Sequence, residues 1–163
     1  MPPSARPPSP SFVRLCACLN HANVEFVVVG SEAVAFHGVP RYSLDFDVFV
    51  RPTRANLFRV KAALEMFGFA DLTKTLDPEV WTRSRQTLRL GEPPLQIDVL
   101  LQLSGVEYEP VGRAAVAGRY GDVPVRFMAC ADLIVNKRAA GRAKDLADVH
   151  ALEHPPGSAE GEE

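Results

Sequence analysis

At 163 residues, 47% hydrophobic and 23% charged, the chain has the composition of one ordinary soluble domain, long enough to bury a core. Its net charge of −2 offers no global field for nucleic acid, so any such contact needs a local basic patch. Three cysteines without metal-ligand spacing, no apolar run of membrane-spanning length and a proline-rich start without an apolar signal core together predict a cytoplasmic protein with buried thiols and no membrane partner.

Residues 1–10 (MPPSARPPSP) are Pro/Ser-rich and predict a disordered lead-in, and the acidic, Gly/Pro-rich residues 154–163 predict a disordered tail. The domain is then residues 11–153. Phe12, Leu15, Cys16 and Leu19 fall at helical spacing over residues 12–21, and residues 24–29 form a first strand apolar enough to be buried on both faces. Ser31 is placed to cap a short helix over 32–36, and Gly38 and Pro40 break it before a second strand over 44–50. Thr53 is the expected N-cap of a helix over 55–67, with Leu57, Val60, Leu64 and Phe67 facing inward and Gly68 as its C-cap. The alternation in 81–90 (WTRSRQTLRL) suggests a strand with a basic outer face. A firmer strand over 95–101 follows Pro93-Pro94. Residues 106–118 read as a surface connection with room for a short helix, and 123–128 as a strand after the Gly121-Asp122 turn. Asp132 is the expected cap of a final helix over 133–152. Strands interleaved with helices, and hairpin-like pairs later, predict an α/β (α+β) fold with a mixed sheet flanked by helices.

The chemistry concentrates between Val27 and Val50. An apolar strand ends on Gly30-Ser31, a short helix and loop follow, and the next strand carries Asp45 and Asp47. Alternation sets these two carboxylates on one strand face, with Cα atoms about 6.5–7 Å apart. Such a pair suits Mg²⁺, which takes oxygen ligands and shares them with substrate phosphates. Backbone N–H groups of the Gly-Ser turn suit a phosphate. Asp98 is the one acid in an otherwise apolar strand, where an unpaired carboxylate is costly. If that strand lies beside the first pair, three carboxylates make a two-metal site; if it is an edge strand, Asp98 faces solvent.

Gly30-Ser31, Asp45-x-Asp47 and a distal Asp98 resemble the nucleotidyltransferase fold shared with DNA polymerase β. The finer pattern is similar to the small bacterial AbiEii-type and related minimal nucleotidyltransferases, many of them toxin–antitoxin components. It comprises Gly30-Ser31-x-Ala33, His37-Gly38, Arg41-x-Ser43-x-Asp45-x-Asp47 and Lys137-x-x-x-Gly141-Arg142-x-Lys144-Asp145-x-x-Asp148. Ser31 stands where these relatives often have a second glycine, and Ser43 where threonine is usual. The resemblance implies transfer of a nucleoside monophosphate from a nucleoside triphosphate such as ATP to a hydroxyl of RNA, protein or a small molecule. It implies Asp45, Asp47 and Asp98 as catalytic ligands of Mg²⁺ (or Mn²⁺), and Gly30, Ser31, Arg41 and Lys137 as nucleotide-binding residues. Lys137 is where relatives place a lysine facing the nucleotide. A partner protein or homodimer could complete the acceptor site.

Blander roles stand beside these. Arg41 could equally pair with Asp45, and His37 reads better as a helix-terminal or core-satisfied histidine. Lys137, Gly141, Lys144 and Asp148 recur at i, i+4, i+7 and i+11 on the last helix and fall on one stripe, with Gly141 permitting a close approach. For Arg142, Lys144, Asp145 and Asp148 a solvated face with Arg142–Asp145 and Lys144–Asp148 pairs is as well supported as a ligand role. Arg83, Arg85 and Arg89, alternating with Thr87, could line an acceptor groove but more often make a solvated face. The rival functions are a non-catalytic nucleotide- or partner-binding regulator of the same fold and a metal-dependent phosphohydrolase.

Overall fold

The computed structural model describes residues 7–41 and 44–155. The motif residue Ser43, most of the expected lead-in and residues 156–163 of the expected tail lie outside them. Among the described residues, eight helices and six strands follow one another as α1 (Pro10–His21), β1 (Phe26–Val29), α2 (Gly30–Phe36), β2 (Asp45–Val50), α3 (Arg54–Phe67), α4 (Ala70–Thr73), α5 (Pro78–Ser84), β3 (Leu88–Leu90), β4 (Gln96–Leu100), α6 (Tyr108–Ala114), β5 (Val116–Tyr120), β6 (Val123–Phe127), α7 (Cys130–Ala140) and α8 (Ala143–Glu153).

The strands form one mixed sheet in the order β3-β4-β2-β1-β6-β5. All four residues of β1 are buried, as its unbroken apolar run requires. It runs antiparallel to β2 and parallel to β6, while β2 runs parallel to β4 with Asp47 opposite Asp98. Phe46, Val48 and Val50 are fully buried, and Phe12 of α1 stacks on Phe46 at 4.9 Å. Helices α1 and α3 pack together, with Leu15, Leu19, Leu57, Val60 and Leu64 in the same core. The other face of β2 carries Asp45, Asp47 and Phe49, and Tyr108 of α6 meets Phe49 edge-on at 5.2 Å. Cys16 and Cys18 are buried and unpaired, and burial pushes the Cys16 thiol up to about 12.

Thr53 caps α3 as expected, accepting from the Asn56 N–H, and Gly68 ends it with φ 127°. Five expectations fail here. Helix α1 begins one residue into the expected lead-in, at Pro10, where a proline fits a first helical turn, and the Ser9 N–H donates to the Tyr120 hydroxyl. Residues 81–84 belong to α5, capped by Asp77, so Arg83 and Arg85 do not alternate on a strand with Arg89. The Asp-Pro start and the Trp81 Nε1 bond to the Gln86 carbonyl outweigh the weak alternation. Strand β5 occupies residues expected to be a connection, because pairing with β6 overrides the low β-propensity of its Ala-Gly centre. The last helix is two helices, for Gly141 adopts φ 70° and stops α7. Asp132 lies in the first turn of α7 and does not cap it.

Asn56 ties three elements together. It is 1% exposed, accepts from the Glu25 N–H, and donates to the Glu25 and Arg51 carbonyls. Asn56→Ala would strand these buried groups, each costing about 1–3 kcal/mol. The expected result is a loss of about 2–4 kcal/mol in denaturant unfolding with an unchanged m-value.

Candidate functional site

Parallel pairing of β2 and β4 builds the site. Residues opposite one another in register share a face, so Asp45, Asp47, Gln96 and Asp98 emerge together. One carboxylate oxygen from each of Asp45, Asp47 and Asp98 lies within 4.8 Å of the others. The strand order therefore satisfies the condition that made Asp98 part of the cluster. Asp98 is 7% exposed, and the edge it might have faced is covered by β3.

The three carboxylates differ in their partners. Asp98 accepts from Arg89 Nε at 3.0 Å and Nη2 at 3.4 Å, and from Gln96 Nε2 at 3.3 Å. Arg89 stands directly across the antiparallel β3–β4 ladder from it. Asp47 Oδ1 is buried with no hydrogen-bond partner among the described residues. Burial pushes the Asp47 carboxyl up to about 7, aided by the charges of Asp98 and Asp45 and opposed by Lys137 and Arg89.

Gly30 is required by this crowding. A Cβ there would sit 2.3 Å from Asp47 Oδ2, and φ is 65°, where side chains are strained. The β1–β2 ladder sets Val29 opposite Asp47, which brings the start of α2 against the carboxylate. Ser31 does not cap α2. Val29 holds the N-cap position, and Ser31 lies in the first helical turn.

Arg41 pairs with Asp148, not with Asp45 as one alternative had it, its Nη2 lying 3.0 Å from both carboxylate oxygens. Lys137 lies 2.9 Å from Asp148 and 3.6 Å from Asp145. Asp145 and Asp148 are 1% and 3% exposed, so the solvated-face reading fails for them, whereas Lys144 is exposed. The Arg142–Asp145 pair is present at 2.6 Å. Gly141 serves the chain reversal between α7 and α8, and the nearest atom to a Cβ there is the Arg138 carbonyl oxygen, at 3.7 Å. His37 meets the Met128 carbonyl at 2.7 Å, the satisfied role expected of it. A cavity of about 430 Å³ between α6 and α7 is lined by Leu103, Glu107 and Asp132 among others and includes none of the three clustered carboxylates.

Two features escaped the sequence reading. Arg89 was weighed as part of a basic row, yet its partner is Asp98; only the β3–β4 register reveals that. Gln96 could have been found, since alternation puts it on the face of Asp98. A scan against protein-family models finds no match, and a search of the curated proteins returns no relative. No helix among the described residues is long and apolar enough to cross a membrane.

Gly30→Ala is expected to displace Asp47 and to cost about 1–3 kcal/mol through overpacking and positive φ. Thermal unfolding and Mn²⁺ titration by paramagnetic resonance check it, with weaker Mn²⁺ binding expected. Asp47 also sets a pH dependence. The unfolded chain releases this proton near the ordinary value of 3.8, the folded chain only near 7. The folded state holds the extra proton in between, so this group's contribution lowers stability as pH rises from about 4 to about 7. Without divalent cations, Asp47→Asn should melt like the wild type near pH 4 and above it at pH 7.5.

Proposed function

We propose that the protein is a metal-dependent nucleotidyltransferase, moving a nucleoside monophosphate from a nucleoside triphosphate to an acceptor hydroxyl with release of pyrophosphate. The observation that carries this reading is the convergence of Asp45, Asp47 and Asp98 within 4.8 Å against the Gly30 turn. The donor set fits Mg²⁺ or Mn²⁺: three carboxylates are hard oxygen ligands, and the buried Asp47 Oδ1 lacks any other partner among the described residues. When bound, the ion would neutralise triphosphate charge and lower the pKa of the acceptor hydroxyl.

The chain's own groups supply the rest. The opening turn of α2, at Gly30 and Ser31, presents backbone N–H groups to phosphate oxygens. Lys137 and Arg41 oppose the negative charge that accumulates as the acceptor oxygen bonds to the α-phosphorus. The bond from the α-phosphorus to the bridging oxygen breaks, pyrophosphate departs with its electron pair, and the hydroxyl proton passes to solvent. Asp47 must be ionised to serve as a ligand, so in the metal-free protein its proton competes with the cation and metal affinity is expected to climb toward neutral pH. The acceptor class, RNA, protein or small molecule, and any place in a toxin–antitoxin pair follow from the resemblance alone.

A second reading, a nucleotide- or partner-binding regulator without turnover, draws on the Arg89–Asp98 pair. That guanidinium neutralises one of the three carboxylates without a metal. The two readings separate in one assay. Each of four labelled nucleoside triphosphates is supplied with Mg²⁺ or Mn²⁺ and with total RNA or lysate as acceptor. Label transfer with pyrophosphate release is expected, falling by at least about 10³-fold in the Asp45→Asn/Asp47→Asn double variant. Undiminished transfer by that folded variant rejects the proposal. Nucleotide binding without pyrophosphate release selects the regulator, and hydrolysis without any acceptor selects a phosphohydrolase.

A further inference from the structure

We propose that Arg89 is a resident counter-ion that competes with a divalent cation for Asp98 and so sets the cation affinity of the carboxylate centre. The inference rests on the nucleotidyltransferase reading, in which Asp98 is a metal ligand. Arg89 lies on β3 directly across the antiparallel ladder from Asp98. Its Nε and Nη2 donate to the two carboxylate oxygens at 3.0 and 3.4 Å, and Gln96 Nε2 donates to Oδ1 at 3.3 Å. The guanidinium thus lays its fork over the same oxygens that a carboxylate offers to a divalent cation. Asp98 must give up that fork before it serves as a full ligand.

Within the centre the acids are unequal. Asp47 Oδ1 is buried with no hydrogen-bond partner among the described residues, whereas both oxygens of Asp98 are engaged. One ligand therefore stands open and another is closed by a charge of the protein's own. That closure is reversible. The Arg89 side chain is 66% exposed against 9% for Asp98, so the guanidinium can swing into solvent without opening the core. Its strand, β3, is three residues long and forms one edge of the sheet. With Arg89 gone, Gln96 still donates to Oδ1 and keeps the carboxylate oriented without adding a charge.

The test is Mn²⁺ titration of the full chain without nucleotide, counting free ion by paramagnetic resonance, with thermal melting alongside. Arg89→Gln should bind Mn²⁺ about fivefold more tightly than the wild type, the upper end of what a partly exposed ion pair is worth. Without divalent cations it should melt below the wild type, because buried Asp98 loses its counter-ion, and Mn²⁺ should raise its melting temperature by more. Arg83→Gln removes the same charge from an exposed position of α5 and should change Mn²⁺ affinity by less than about twofold. In an Asp98→Asn background the gain from Arg89→Gln should vanish, because the competition acts through that carboxylate. Where Arg89→Gln does not fold, Arg89→Lys, which keeps the charge and loses the fork, reads the same competition with about a twofold gain. Mn²⁺ affinity in Arg89→Gln equal to or below that of the wild type, an equal gain in Arg83→Gln, or a gain that survives in Asp98→Asn overturns the proposal. A wild type that binds no Mn²⁺ removes the metal-dependent reading and this inference with it. A wild type that transfers nucleotide while Arg89→Gln binds Mn²⁺ no more tightly removes this one alone.

Discussion

The site depends on one register, β2 lying parallel to β4 with Asp47 opposite Asp98. That pairing forces like charges together at a half-buried position. Two carboxylates within 4.8 Å repel by about 3–4 kcal/mol at the effective dielectric of a protein surface. The fold answers in three ways. Arg89 crosses from β3 to neutralise Asp98, Lys137 places a positive charge near Asp47, and Asp47 itself holds its proton until about neutral pH. Asp47 Oδ1 still lacks a partner among the described residues, and that residual demand for positive charge is the strongest support for a cation at this place.

A second ion cluster behind the first has the opposite balance. Lys137, Arg41 and Arg142 meet only Asp145 and Asp148. An acidic centre thus lies beside a surplus of positive charge. On the proposed reading, a ligand that brings both a divalent cation and a polyanionic chain would meet the two halves at once. Both aspartates sit on α8, and Gly141 ends α7 so that α8 can fold back and present them to Lys137.

The sequence made the first cluster legible and hid the second. Alternation fixes Asp45 and Asp47 on one strand face, and the apolar surroundings of Asp98 demand a partner for it; both arguments need only local pattern. Thr53, Leu57, Val60 and Leu64 were readable for the same reason, since cap and period lie within a few residues. The Arg89–Asp98 pair depends on a ladder, and the Arg41–Asp148 pair spans 107 residues, so no periodicity reports either. Gly141 was the misleading residue. In a pattern otherwise apt for one long helix, a glycine is compatible with either a close contact or a left-handed stop. The stop won, and with it the straight stripe from Lys137 to Asp148 became a helical hairpin that still joins those residues. Residues 81–84 erred toward strand because a weak alternation of arginines carries less information than the Asp77-Pro78 helix start.

A centre this costly persists because the fold's stability is invested on the other side of the sheet. Phe46, Val48 and Val50 meet the α1–α3 layer with no solvent exposure, and Asn56 fastens that layer to the edges of β1 and β2 through backbone groups alone. None of these contacts involves a carboxylate of the cluster. Burial of the large side chains on that face contributes about 1.5–3 kcal/mol each, enough to offset the repulsion among three acids. Replacing an acid of the cluster therefore relieves electrostatic cost without opening the core. A purely structural network behaves otherwise, since removing one partner leaves another buried and unpaired. Asp148 belongs to the second kind, since Lys137 and Arg41 would lose a buried partner with it, and Asp47 to the first.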